Sequence, residues 1–135
     1  MRHFIIASHR TFASGLKDTI IFLTNKERCI HDFSAYVHDN DLNFKMMDTL
    51  FESFNKEDEV IIMTDIVGGS VTQKFYPYMS DNVHMISGVN LPLALSLVLS
   101  NVNKMDEEYL LSLIQEAKEQ IIYVNKLNLN GNDDE

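Results

Sequence analysis

The sequence holds a single cysteine, Cys29, among 135 residues. That excludes an intramolecular disulfide and a cysteine-built metal cluster, and points to a reducing compartment. Basic residues are scarce: 11 Lys and Arg against 20 Asp and Glu leave a net charge of −9. Nothing supplies the basic stripe that nucleic acid requires, and an anionic membrane surface would repel such a chain. No apolar run reaches transmembrane length. The first residues lack a basic segment followed by a long apolar one, so no signal peptide is read and a cytoplasmic protein is expected. The glycines at 68 and 69 are not followed by Gly-Lys-Ser/Thr, which excludes a Walker loop. No Gly-x-Ser-x-Gly elbow is present, so acyl transfer is unsupported. Prolines number two, Pro77 and Pro92, and neither interrupts a strand.

What is present is the composition of one soluble globular domain, 45% hydrophobic and 23% charged, long enough to bury a core. A domain over residues 1–127 is expected, followed by a polar, acidic tail at 128–135 expected to be disordered. Phe4 to Ala7 is apolar throughout, as in a strand covered on both faces. Ala13, Leu16, Ile20 and Leu23 then recur at helical spacing. Cys29 to Val37 alternates loosely and reads as a second strand near an edge. His38 to Asp41 reads as a turn. Phe44, Met47, Leu50, Phe51 and Phe54 mark an amphipathic helix. Val60 to Thr64 is the best buried strand in the chain. Val71 to Met79 reads as helical, with Pro77 disturbing its end. Val83 to Ser87 is a fourth strand. Leu91 to Leu99 is a helix apolar nearly all round, with Pro92 in its first turn. Asp106-Glu107-Glu108 opens a last helix with acids at its positive end.

Strand–helix alternation of this kind predicts an α/β fold: a doubly wound, mainly parallel four-stranded sheet in the order 2-1-3-4, flanked by helices. Ile121-Ile122-Tyr123-Val124 continues the helical phase but is rich in strand-forming residues. The run is open between the two; as a fifth, edge strand it would cover an exposed sheet edge.

The predicted strand order has a chemical consequence. It brings the carboxyl ends of the first and third strands together, and those ends carry His9 and Asp65. Ligands of open α/β sheets bind at that rim. A carboxylate on one imidazole nitrogen fixes the tautomer, leaves the other nitrogen free as a nucleophile, and stabilises positive charge developing on the ring. A histidine in an ordinary surface loop would present the same residues. The unpaired N–H groups where the first helix begins favour an anion. Gly68-Gly69-Ser70 is a tight turn whose amides and Ser70 hydroxyl suit a phosphoryl oxygen, although glycines are ordinary in such turns. Asn90 either faces the same rim or caps the helix that follows it. His3, His31, His38 and His84 are scattered over strands and loops, read as structural or exposed, and form no set of metal ligands.

Taken together, Ser8-His9, Phe12-Ala13-Ser14-Gly15-Leu16, Asp65-Ile66-Val67-Gly68-Gly69-Ser70 and Gly88-Val89-Asn90-Leu91-Pro92 resemble the enzyme IIA domain of the mannose-type sugar phosphotransferase system. The resemblance spans about residues 3 to 125. It implies that His9 accepts a phosphoryl group from the histidine carrier protein HPr and passes it to a IIB domain for sugar uptake. The resemblance makes Asp65 the residue that orients His9; Ser70, Gly69, Arg10 and Thr11 are the candidate phosphate-binding residues from the reading of the rim itself. The resemblance also implies a phosphohistidine carrier without cofactor or metal, a homodimer, a final strand exchanged between subunits, and contact with the membrane only through a IIC/IID permease. One position departs: the family often has glycine directly after the histidine, where this chain has Arg10, which bears on the partner. The phosphotransfer component of dihydroxyacetone kinase has a similar first block, but the Gly-Gly-Ser and Gly-Val-Asn-Leu-Pro blocks favour the mannose type. A non-catalytic regulatory module of the same fold is a further alternative. A phospho-receiver domain would need an acidic cluster after the first strand, where Ser8-His9 stands.

Overall fold

The computed structural model describes residues 1–37 and 44–127. The expected turn at 38–41 and the expected tail at 128–135 lie outside the described residues. Four strands run β1 (Arg2–His9), β2 (Ile30–Ala35), β3 (Glu59–Thr64) and β4 (Val83–Ser87). They form one sheet in the order β2-β1-β3-β4, every pairing parallel. The expected topology is therefore the observed one. Among the described residues, five α-helices accompany the strands: α1 (Phe12–Thr24), α2 (Phe44–Glu52), α3 (Ser70–Phe75), α4 (Leu91–Val98) and α5 (Glu107–Lys118).

The pleat explains why β1 reads as an unbroken apolar run. Phe4 and Ile6 face one side and pack with Ala13, Leu16 and Ile20 of α1 and with residues of α4 and α5. Ile5 and Ala7 face the other side and pack with Val71 and Phe75 of α3 and Met47 of α2. Successive strand side chains alternate between faces, so a strand covered on both sides must be apolar at every position. β3 repeats the pattern, with Ile61 and Met63 on one side and Val60 and Ile62 on the other. Each fully buried isoleucine of these strands contributes about 1.5–3 kcal/mol relative to exposure.

Some element ends differ from expectation for local reasons. Leu23 continues the helical spacing of α1 but is 53% exposed, because Leu16 and Ile20 already meet the sheet one and two turns earlier. α1 then stops at Asn25, which adopts φ 59° and returns its N–H to the Ile21 carbonyl. α3 gives way at Tyr76 to a 3₁₀ turn through Tyr78, as Pro77 requires. The expected fifth strand does not form within the single chain. Residues 121–123 carry no regular structure, Val124–Lys126 is a 3₁₀ turn, and Ile121 is 77% exposed.

No helix among the described residues is long and apolar enough to cross a membrane.

Candidate functional site

The site begins with a matter of register. Ala7 of β1 lies opposite Thr64 of β3, the last residue of that strand. β1 runs two residues further, so Ser8 and His9 extend past the end of β3, and the side chain of Asp65, the residue that follows β3, reaches across to His9. The Asp65 carboxylate takes hold of His9 twice. Its Oδ2 accepts the backbone N–H of His9 at 2.8 Å and lies 2.9 Å from Nδ1 of the ring. Its Oδ1 accepts the N–H of Ile66 at 3.0 Å. Partial burial works against the ionised carboxylate, but these hydrogen bonds outweigh it and hold the Asp65 pKa below the usual range. An ionised carboxylate only accepts, so Nδ1 must carry the proton. The lone pair then resides on Nε2, which has no hydrogen-bond partner among the described residues. The pair stays open to solvent, with the His9 side chain 34% exposed.

The turn carrying His9 into α1 is fixed from inside. Ser8 is fully buried, and its hydroxyl accepts the Ala13 N–H at 2.7 Å while donating to the Arg10 carbonyl at 3.3 Å. It thereby performs the capping task that Thr11, with no side-chain cap bond, leaves undone. The loop carrying Asp65 rests on a second buried group of hydroxyls. Thr64 Oγ1 lies 2.8 Å from Thr72 Oγ1 and 2.6 Å from Ser87 Oγ, and Thr72 donates to the Ile66 carbonyl at 2.8 Å. These residues tie the ends of β3 and β4 to α3.

Gly69 closes the site against the ring. A Cβ built there would lie 3.0 Å from His9 Cε1 and 3.3 Å from Ile66 Cγ1. Its φ of −78° suits any residue, so glycine is required for close approach and not for backbone conformation. Ser70 follows, and its hydroxyl lies 2.6 Å from the Tyr36 hydroxyl. Tyr36 is the neighbour of His9 that sequence reasoning missed. It stands one residue past β2, and its ring lies over the His9 imidazole with centroids 5.6 Å apart and planes 19° from parallel.

Arg10 adopts φ 56°, the left-handed region that glycine occupies freely and other residues at a cost of roughly 1–2 kcal/mol. That gives the resemblance's preference for glycine after the histidine a backbone cause. The Arg10 guanidinium is engaged with the Tyr36 carbonyl, donating from Nη1 at 2.9 Å. Thr11 is exposed and hydrogen-bonds only within the start of α1, its carbonyl accepting from Gly15 and Ser14. Of the sequence-predicted residues, His9, Asp65, Gly69 and Ser70 therefore converge, Arg10 joins through Tyr36, and Thr11 makes no bond to them. Asn90 takes the capping role: its Oδ1 accepts the Leu93 N–H at 2.9 Å and its Nδ2 donates to the Ala117 carbonyl.

The family model described as the PTS system fructose IIA component, EIIA-man, matches residues 3–115. Among solved structures, one from Klebsiella pneumoniae subsp. pneumoniae is 36% identical. The match covers 93% of this chain and 92% of that one, with a TM-score of 0.82. It is a candidate phosphoenolpyruvate-dependent sugar phosphotransferase system permease. The PTS IIA protein associated with the fucose utilization operon of Streptococcus pneumoniae is 23% identical over 92% of this chain and 93% of that one, with a TM-score of 0.73. The mannose/sorbose specific IIA subunit of Enterococcus faecalis is 18% identical over 90% and 92%, with a TM-score of 0.72. These last two share the fold. No curated protein matches the chain.

Proposed function

The chain belongs to the EIIA-man family of phosphotransferase-system IIA components, and from that premise we propose that it is a cytoplasmic phosphohistidine carrier. In this reading His9 accepts the phosphoryl group of phospho-HPr and hands it to a IIB domain. The observation that carries the reading is the His9–Asp65 pair, 2.9 Å apart where two parallel strands end together. The Nε2 lone pair attacks phosphorus as the bond from phosphorus to the HPr histidine breaks, its electrons returning to that ring. The new N–P bond leaves a positive imidazolium, which the Asp65 carboxylate faces through Nδ1–H. The reverse sequence delivers the phosphoryl group to a nucleophile on the IIB domain. Such transfers need positioning and charge stabilisation more than covalent assistance, and no cofactor or metal has a part in this scheme.

Incubation with phosphoenolpyruvate, enzyme I and HPr tests the reading. One phosphate per chain is expected, stable in base and labile in acid, as a phosphoramidate requires. Absence of label with active enzyme I and HPr would remove the carrier role.

The proposal extends to a homodimer. Ile121, Ile122, Tyr123 and Val124 form an apolar run that the single chain leaves between 48% and 77% exposed. A second copy that covers this run would remove the exposed surface, whether or not a strand is exchanged. Sedimentation of the full chain beside one ending at Gln120 is expected to show a dimer and a monomer respectively. A monomeric full chain, or a truncated chain that dimerises equally well, rejects it.

A further inference from the structure

We propose that Tyr36 is a positioning residue of the phosphoryl site, its ring fixing the His9 imidazole and its hydroxyl pairing with Ser70 to form a donor for phosphoryl oxygens. The inference rests on the carrier reading above and names a residue that reading does not use. Tyr36 adopts φ 64°, a conformation rare outside glycine. Such a conformation persists only where the surroundings hold it. Here the carbonyl is held by Arg10, the hydroxyl by Ser70, and the ring lies on His9. These three anchors belong to the site, while Tyr36 also packs against the hydrophobic cluster that holds Ala35, Val71 and Phe75.

The hydroxyl pair has spare capacity. Tyr36 and Ser70 share one hydrogen bond, and neither hydroxyl has another partner among the described residues. Whichever oxygen donates, one O–H remains uncommitted. The pair can therefore offer a donor to an anionic oxygen without first breaking its own bond. Ser70 directly follows Gly69, whose missing Cβ lets the backbone sit against His9 Cε1. Cε1 is the ring atom next to Nε2, so the donor is carried on the same edge as the nitrogen that would bear phosphorus. The near-parallel ring, its centroid 5.6 Å away, meanwhile flanks the imidazole on one side. It limits rotation about the side-chain bonds and keeps water from approaching that side of the phosphohistidine.

The test compares Tyr36→Phe, Tyr36→Ala, Ser70→Ala and the Tyr36→Phe/Ser70→Ala double variant with the unaltered chain. Transfer from phospho-HPr is measured, together with the lifetime of the phosphohistidine. Tyr36→Phe keeps the stack and loses the hydroxyl. Its kcat is expected to fall about tenfold or less, the scale of one hydrogen bond, with the KM for phospho-HPr unchanged. The double variant is expected to be no slower than Ser70→Ala alone, because both changes break one unit. Tyr36→Ala is expected to shorten the phosphohistidine lifetime and move the His9 ring-proton resonances downfield, and Phe is expected to restore both. Single effects that multiply in the double variant, or a lifetime and resonances unmoved in Tyr36→Ala, overturn the proposal. An unaltered chain that takes no label overturns the carrier reading and this one with it, while label in the unaltered chain confines a failure to Tyr36.

Discussion

His9→Asn is expected to abolish phosphoryl acceptance while leaving the unfolding midpoint nearly unchanged. Asparagine places an N–H₂ donor near the position of Nδ1, so the contact with Asp65 survives. It has no counterpart of Nε2, so no nucleophile remains. His9 is partly exposed at the end of β1 and belongs to neither hydrophobic core cluster. Substitutions at such sites typically change stability within about 0.5 kcal/mol. Label incorporation and a urea titration check the two halves of this expectation, and label that persists in His9→Asn would move the acceptor elsewhere.

His3 and His31 show why a histidine beside a carboxylate or in the sheet is not by itself an acceptor. His3 also faces a carboxylate, with Nε2 3.0 Å from Asp58. That pair sits at the opposite end of the same two strands, and both side chains are at most 10% exposed. The His3 ring is stacked on Phe54 with centroids 3.9 Å apart. Asp58 additionally accepts the Asn55 N–H and the Met1 ammonium, and with them its pKa falls to about 2. His3 and Asp58 fasten the beginning of the sheet, and both side chains are committed to that task. His31 lies beside His3, and burial lowers its pKa. Residue types alone do not separate the two His–Asp pairs. Their places along parallel strands do, one at the amino ends and one at the carboxyl rim.

That difference also marks what the sequence could reveal. The apolar runs at Phe4–Ala7 and Val60–Thr64 were legible because two-sided burial leaves no room for polar residues. Strand order then followed from the alternation of strands and helices and the order common to doubly wound sheets, and with it the meeting of His9 and Asp65. Ser70 and Gly69 were legible because Gly68-Gly69-Ser70 reads as a tight turn in the loop that Asp65 opens. Tyr36 was not, since it reaches His9 from the next strand through a left-handed residue, and nothing in a loose alternation announces that turn. The hydroxyl cluster of Thr64, Thr72 and Ser87 was hidden for a similar reason: three elements contribute one residue each, and threonine in a strand is ordinary. The run at Ile121–Val124 shows another limit. Its composition indicates surface to be covered but does not say whether the cover comes from the same chain, and within this chain it does not.

Asp65→Asn is expected to slow phosphoryl transfer by about a hundredfold or more, since both the orientation and the charge that serve His9 are lost. The wild-type carboxylate accepts three N–H groups: the His9 amide and ring at Oδ2, and the Ile66 amide at Oδ1. An asparagine has a single acceptor oxygen. If that oxygen replaces Oδ2, the amide N–H₂ meets the Ile66 N–H donor to donor. If it replaces Oδ1, the N–H₂ meets the His9 amide and forces Nδ1 to accept, which moves the ring proton to Nε2 and blocks the nucleophile. Either arrangement also removes the negative charge facing the imidazolium of the phosphorylated state. The fold is expected to survive, because Ser8 and the Thr64–Thr72–Ser87 hydroxyls hold the two loops independently of the carboxylate. Rapid-quench transfer from phospho-HPr measures the rate, and nitrogen-resolved NMR of the ring reports the tautomer. A transfer rate equal to that of the unaltered chain would take Asp65 out of the mechanism despite the 2.9 Å contact.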